Sequence, residues 1–244
     1  MAPQHPPMIS LEAVSYVPDG VAVLTDITLD ANERRIGVIG RNGSGKTTLA
    51  RIIAGLIEPN QGRAHIAGVD VVKDRKGALR HVGILFQNPD HQIIFPTVEE
   101  EIAFGITQMG LSKIDAAKGV ADVLARFGKA HWAGAAIHQL SQGQRQLVCL
   151  MSVLAMQPKV IILDEPFAGL DIPTTMHLRR VLDGLAVTLV HITHDPDMVR
   201  NYDRVLWLEQ GKVADDGLPA DVLPRFEARM KQIGDGDDLS DISG

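Results

Sequence analysis

A chain of 244 residues, 45% hydrophobic and 22% charged, holds enough apolar material for one large folded unit or one unit with an insertion. A formal charge of −6 argues against a nucleic-acid partner, and a single cysteine excludes an internal disulfide. The most apolar uncharged run, Leu147 to Pro158, is too short for a membrane span of about 20 residues. The Pro-rich start, Met1 to Met8, has no signal-peptide core, so the expectation is a soluble cytoplasmic protein that meets membranes only through a partner.

Short apolar runs alternate with helical patterns along the chain, which predicts an α/β fold. Arg35 to Ile39 is a predicted strand. Leu49, Ile52, Ile53 and Leu56 then fall at i, i+3, i+4 and i+7, one apolar face of a helix. From about Phe95 the pattern turns helical. Thr97 with Glu100 is a capping box opening a helix toward Met109, and Ser112 with Asp115 repeats a weaker form of it. Val160 to Leu163 is a continuous apolar run, as expected of a strand buried on both faces. Thr188 to Thr193 and Val205 to Leu208 are two further strands. The expected organisation is a single domain over residues 8–233, with its core at 8–87 and 158–233 and an inserted helical sub-domain at 95–157. Residues 1–7 and 234–244 read as disordered tails.

Gly40-Arg41-Asn42-Gly43-Ser44-Gly45-Lys46-Thr47 fits the phosphate-loop pattern G-x-x-x-x-G-K-[ST], between a predicted strand and a predicted helix. Its glycines let backbone N–H groups converge on phosphate oxygens, and the helix adds the positive end of its dipole. Lys46 can reach the β- and γ-phosphates, and the Thr47 hydroxyl can ligate Mg²⁺. Such a loop needs an acid at the end of a neighbouring strand to hold the metal, and Asp164 follows the Val160–Leu163 run. Glu165 comes next and can polarise an attacking water. His194, just past a strand, is placed for a γ-phosphate contact.

Leu140-Ser141-Gln142-Gly143-Gln144 resembles the signature of ATP-binding-cassette (ABC) ATPases. With it a full set lines up over Ile9 to Val213: the phosphate loop, Gln87 after an apolar strand, the signature, Asp164-Glu165-Pro166, Ala168 to Asp171, and His194. The resemblance implies a P-loop NTPase of ABC architecture, with a mainly parallel core sheet, an N-terminal antiparallel β part and the helical insertion. It further implies that two cassettes trap two ATP molecules head to tail. Gly40 to Thr47, with Thr48, would hold the phosphates. Asp164 and Gln87 would act on Mg²⁺, Glu165 as base and His194 on the γ-phosphate. Ser141, Gln142, Gly143 and Gln144 of a second chain would complete each site, and Asp171 would link the two. Two departures stand out. Gln142 replaces the usual glycine and places bulk near the phosphate site of the other chain. The Val14–Pro18 segment is short, which bears on Tyr16 as the residue stacking on adenine.

The stretch Phe86 to Val98 resembles energy-coupling-factor transporters, importers of vitamins and transition-metal ions. There a membrane scaffold would dock beside Asp90, His91 and Gln92, and a separate membrane subunit would select the cargo. The short C-terminal tail and Leu140 to Ala155 look most like the biotin-type ATPase, next the cobalt type. The resemblance therefore implies an ATP hydrolase at the cytoplasmic face of the inner membrane, as a homodimer. A soluble ABC-type ATPase and a P-loop small-molecule kinase are the competing classes. One cassette without a heptad run or basic patch speaks against the first, and the signature has no role in the second.

Overall fold

The computed structural model describes residues 6–236. Two sheets organise it. The smaller is antiparallel, in the order β2-β1-β4-β5, from β1 (Ile9–Tyr16), β2 (Leu24–Ala31), β4 (Gln61–Ile66) and β5 (Val69–Asp70). The larger has six strands, with β10 (Lys212–Gly217) and β9 (Arg204–Glu209) followed by β3 (Arg35–Ile39), β8 (Thr188–Thr193), β7 (Val160–Asp164) and β6 (Val82–Leu85). Strands β9, β3, β8, β7 and β6 are parallel, and β10 closes one edge antiparallel to β9.

Both faces of the larger sheet are covered, which explains why β7 is apolar at every position but its last. Val160 and Ile162 enter one core with Val190 and Ile192, the antiparallel sheet and α1 (Lys46–Ile53). Ile161 and Leu163 face the other way. They pack with α3 (Val98–Gln108), α4 (Lys113–Arg126), α5 (Gln142–Ala155) and α6 (Ile172–Asp183). A third, smaller cluster seats α7 (Pro219–Gly236) through Leu223 and Phe226 against Trp207. The short α2 (Arg75–Leu79) links β5 to β6.

Each long helix of the second layer starts where its sequence supplies a cap. Thr97 Oγ1 accepts from Glu100 N at 3.4 Å, and Ser112 Oγ accepts from Asp115 N at 3.2 Å. Helix α1 is shorter than its apolar period suggests. Gly55 takes φ +68, its N–H donates to Ile52 O, and Leu56 N–H donates to Arg51 O. That Schellman closure leaves Leu56, expected on the helix face, beyond the helix and partly exposed. At the other end, α7 continues through Gly236, so residues 234–236 are helical rather than tail. The remaining predicted tail residues, 1–5 and 237–244, lie outside the described residues. No helix among the described residues is long and apolar enough to cross a membrane.

Candidate active site

Parallel strands deliver their C-terminal ends to one edge, and the order β3-β8-β7-β6 sets neighbouring chemistry side by side there. The phosphate loop leaves β3, His194 follows β8, Asp164 ends β7 with Glu165 next, and Gln87 follows β6 by two residues.

The loop is built around backbone that only glycine tolerates. Gly45, at φ +100, is the N-cap of α1, and a Cβ there would stand 2.7 Å from Leu24 Cδ2 and 2.9 Å from Val23 O. No side chain caps α1, so its first N–H groups are left for an anion at the mouth of the loop. Lys46 is buried and donates through Nζ to Gly40 O at 2.7 Å and Arg41 O at 2.8 Å. Burial pushes its ammonium below the usual lysine range, while the Glu165 and Asp164 carboxylates pull it back up. Arg41, Asn42 and Gly43 form the exposed outer turn, Ser44 is buried beneath it, and Thr48 is half-buried on α1.

Thr47 Oγ1 donates to Asp164 Oδ1 at 3.2 Å, joining β7 to the loop. Burial raises the Asp164 carboxyl above the ordinary aspartate value, the Thr47 hydrogen bond opposes this, and the neighbouring Glu165 charge adds to it. Glu165 sits at φ +50, a left-handed conformation rare for a non-glycine residue, and its N–H donates to Ile192 O at 3.0 Å. Its carboxylate is held from β8: Oε1 lies 2.7 Å from His194 Nδ1, and Thr193 Oγ1 donates to Oε2 at 3.4 Å. Thr193 is a contact the sequence did not signal, because it arises only from the β7–β8 pairing. Gln87 is exposed on the same edge.

Other expected site residues lie elsewhere. Tyr16 is half-buried at the end of β1, opposite Leu24 in the sheet register, one strand away from the phosphate loop. Ser141 is the N-cap of α5, in a capping box with Gln144: Ser141 Oγ accepts from Gln144 N at 3.3 Å, and Ser141 N donates to Gln144 Oε1 at 2.8 Å. Asp171 caps α6 through Thr174 N at 2.8 Å, and these bonds from Thr174 hold its carboxyl below the usual range. The two helix starts meet closely, since a Cβ on Gly143 would come within 2.3 Å of Thr174 Cγ2. A shallow cavity of about 330 Å³ opens there beside Ser141, Gly143, Trp132 and His177. Gln142 departs from expectation in its direction. Its Nε2 donates to Ala168 O at 3.4 Å, so the side chain turns back onto its own chain's Ala168–Asp171 segment.

The segment after Gln87 is tied to α5. Asp90 Oδ1 pairs with Arg145 Nε at 2.9 Å, and Gln146 Nε2 donates to Phe86 O at 3.1 Å. His91 Nε2 lies 3.5 Å from Asn88 Nδ2, and Gln92 Oε1 accepts from Phe86 N at 3.2 Å. Gln92 also lines an open apolar groove of about 700 Å³ between β6, α3 and α5, with Ile84, Phe104, Met109 and Met156.

Comparison with known proteins agrees with this arrangement. The pattern of the ABC transporter family matches residues 24–168. The biotin transport ATP-binding protein BioM of Rhodobacter capsulatus is 52% identical over 225 residues, spanning 92% of this chain and 96% of that protein. The energy-coupling factor transporter ATP-binding protein EcfA of Methanocaldococcus jannaschii is 37% identical, spanning 88% and 80%. Among solved structures, cbiO1 of Clostridium perfringens, part of the ABC transporter complex cbiONQ, superposes with a TM-score of 0.79 at 32% identity, covering 93% of this chain and 95% of that one. An ATP-binding cassette solved as a dimer in a post-hydrolysis state with ADP and Pi gives 0.76 at 25% identity, covering 87% and 99%. The phosphate loop, its carboxylates and these likenesses agree: the chain belongs to the ABC transporter family, as an ATP-binding and ATP-hydrolysing cassette.

Proposed function

We propose that this chain is the ATP-driven motor of an energy-coupling-factor importer at the cytoplasmic face of the inner membrane, and that the cargo is biotin. One observation carries the motor reading: the Thr47–Asp164 and Glu165–His194 pairs stand together beside the Gly40–Thr47 loop. Lys46 exchanges its bonds to the Gly40 and Arg41 carbonyls for phosphate oxygens, and the uncapped start of α1 receives the same charge. Glu165 accepts the proton of the attacking water, with His194 and Thr193 fixing its carboxylate, and His194 extends to the γ-phosphate. Tyr16 stacks on the adenine.

The site fits Mg²⁺. A hydroxyl and a carboxylate oxygen converge at Thr47 and Asp164, with Gln87 on the same edge. No group of three or more His, Cys, Asp or Glu that could hold a metal occurs among the described residues. Such a sparse set suits a cation that takes one or two carboxylates and completes its shell with substrate phosphates. When bound, the ion would neutralise charge on the phosphates.

Ser141, Gly143 and Gln144, with Asp171, serve a second copy of the chain, and the dimeric relative supports that assembly. The membrane scaffold docks beside Asp90, His91 and Gln92, of which Gln92 lines the groove, and a further membrane subunit binds the cargo. Support for biotin is the 52% identity to BioM; the cobalt type, next in resemblance, is the second reading.

Glu165→Gln is expected to bind ATP as the wild type does and to lose turnover, measured by nucleotide titration and phosphate release. Retained turnover would remove Glu165 as the base. Uptake of labelled biotin and labelled cobalt by vesicles carrying the assembled transporter decides the cargo: cobalt entry without biotin entry overturns the biotin assignment.

A further inference from the structure

Three residues before His194, β8 buries a second histidine that the nucleotide chemistry above does not use. His191 is 1% exposed. Val190 and Ile192 beside it point into the core with α1, so His191 points to the opposite layer. Burial, with Arg179 nearby, pushes its imidazole down to about 3, so the ring is neutral. Its Nδ1 lies 3.0 Å from the Tyr202 hydroxyl. A neutral ring that accepts the hydroxyl hydrogen at Nδ1 carries its own proton on Nε2. Nε2 is buried without a hydrogen-bond partner. An apolar side chain of similar volume would avoid that desolvation cost, so packing alone gives no reason for a histidine here.

The surroundings supply the reason. The Phe167 ring stands nearly perpendicular to the imidazole, at 81° and 5.5 Å between centroids, and the Tyr202 ring lies 5.7 Å away on a tilt. Phe167 is two residues past Glu165, and Tyr202 closes the short segment that starts at His194. These are the two segments whose first residues form the 2.7 Å Glu165–His194 contact. Glu165 holds a left-handed backbone, which persists only where its surroundings fix it, and the carbonyl anchoring its N–H belongs to Ile192, next to His191.

We propose that His191 is a positioning residue for ATP hydrolysis: through Phe167 and Tyr202 it locks the segments after β7 and β8 together and so holds Glu165 against His194. The proposal rests on Glu165 being the base.

The test is made on the full chain. Tyr202→Phe removes one oxygen and keeps the ring; His191→Phe keeps an aromatic ring and removes the bonding nitrogen; His191→Asn restores a hydrogen-bonding atom close to Nδ1. Tyr202→Phe and His191→Phe are each expected to lower kcat roughly three- to tenfold with KM for ATP within about twofold, the pattern of a lost transition-state contact. The double variant should lose no more than either single one, because both remove the same hydrogen bond. His191→Asn should recover part of the rate. A wild-type kcat in Tyr202→Phe overturns the proposal, as do losses that multiply in the double variant or fall on KM. The near-isosteric Tyr202→Phe keeps the test decisive should His191→Phe fail to fold. Glu165→Gln, run alongside, separates the two claims. Turnover lost there but unchanged in Tyr202→Phe removes only the role of His191. Turnover kept in Glu165→Gln removes the base assignment itself.

Discussion

Asp164 carries two opposed demands on one carboxyl. Its place at the buried end of β7 suits a metal ligand, yet that burial raises its pKa above that of an unfolded aspartate. The folded chain therefore holds this proton more tightly than the unfolded chain does. Above the raised value the charge costs stability, and the cost fades as pH falls through it. Asp164→Asn is accordingly expected to melt at a higher temperature than the wild type near pH 7 without nucleotide, with the gap narrowing in acid. It should also lose the added stability that ATP with Mg²⁺ gives the wild type. A lower Tm at pH 7 would show that the bond to Thr47 outweighs the burial cost. Lys46, Asp164 and Glu165 were legible one residue at a time, because a glycine loop and an acid after an apolar run state their chemistry locally. Thr193 and His191 were not, since their roles depend on which strand lies next to β8.

At the level of elements, local chemistry located the helix starts well. Thr97 and Ser112 each precede an acid by three residues, and each caps its helix in the fold. Ser112 lies away from the phosphate loop, at the start of a helix packed chiefly on α3 and α5. Ser112→Ala is expected to cost about 1 kcal/mol and lower Tm by roughly 2–4 °C, leaving kcat for ATP unchanged. Thermal melts with a turnover assay check both parts. Strands β3, β7 and β8 were equally plain, because each gathers Ile, Val or Leu into a run of five or six residues. The antiparallel sheet was harder to place strand by strand. β1 is broken by register shifts and by Ala13 in a left-handed conformation, and β4 starts with three exposed residues. A period-2 pattern interrupted in this way gives little signal.

At the scale of the molecule, the nucleotide site and the signature occupy different places on the chain, and the cavity at Ser141 and Gly143 is walled by α5, α6 and the segment around Trp132. Under the proposed function, a second copy supplies the other half. Glu165→Gln with ATP and Mg²⁺ is expected to sediment as a dimer and to return to monomer with ADP. A monomer under both conditions would mean that the signature is not shared between chains. The sequence by itself determined the phosphate loop, the acid pair after β7, the capped helices and the family resemblance, all of which rest on contiguous residues. Only the tertiary structure decided the lateral order β3-β8-β7-β6, which differs from chain order and sets His194 beside Glu165. It also turned Gln142 toward Ala168 and closed the Phe167–His191–Tyr202 cluster. The physical reason is common to these: strand order and side-chain direction follow from how two covered faces pack around one sheet. That is a non-local balance of burial, which no window of sequence contains.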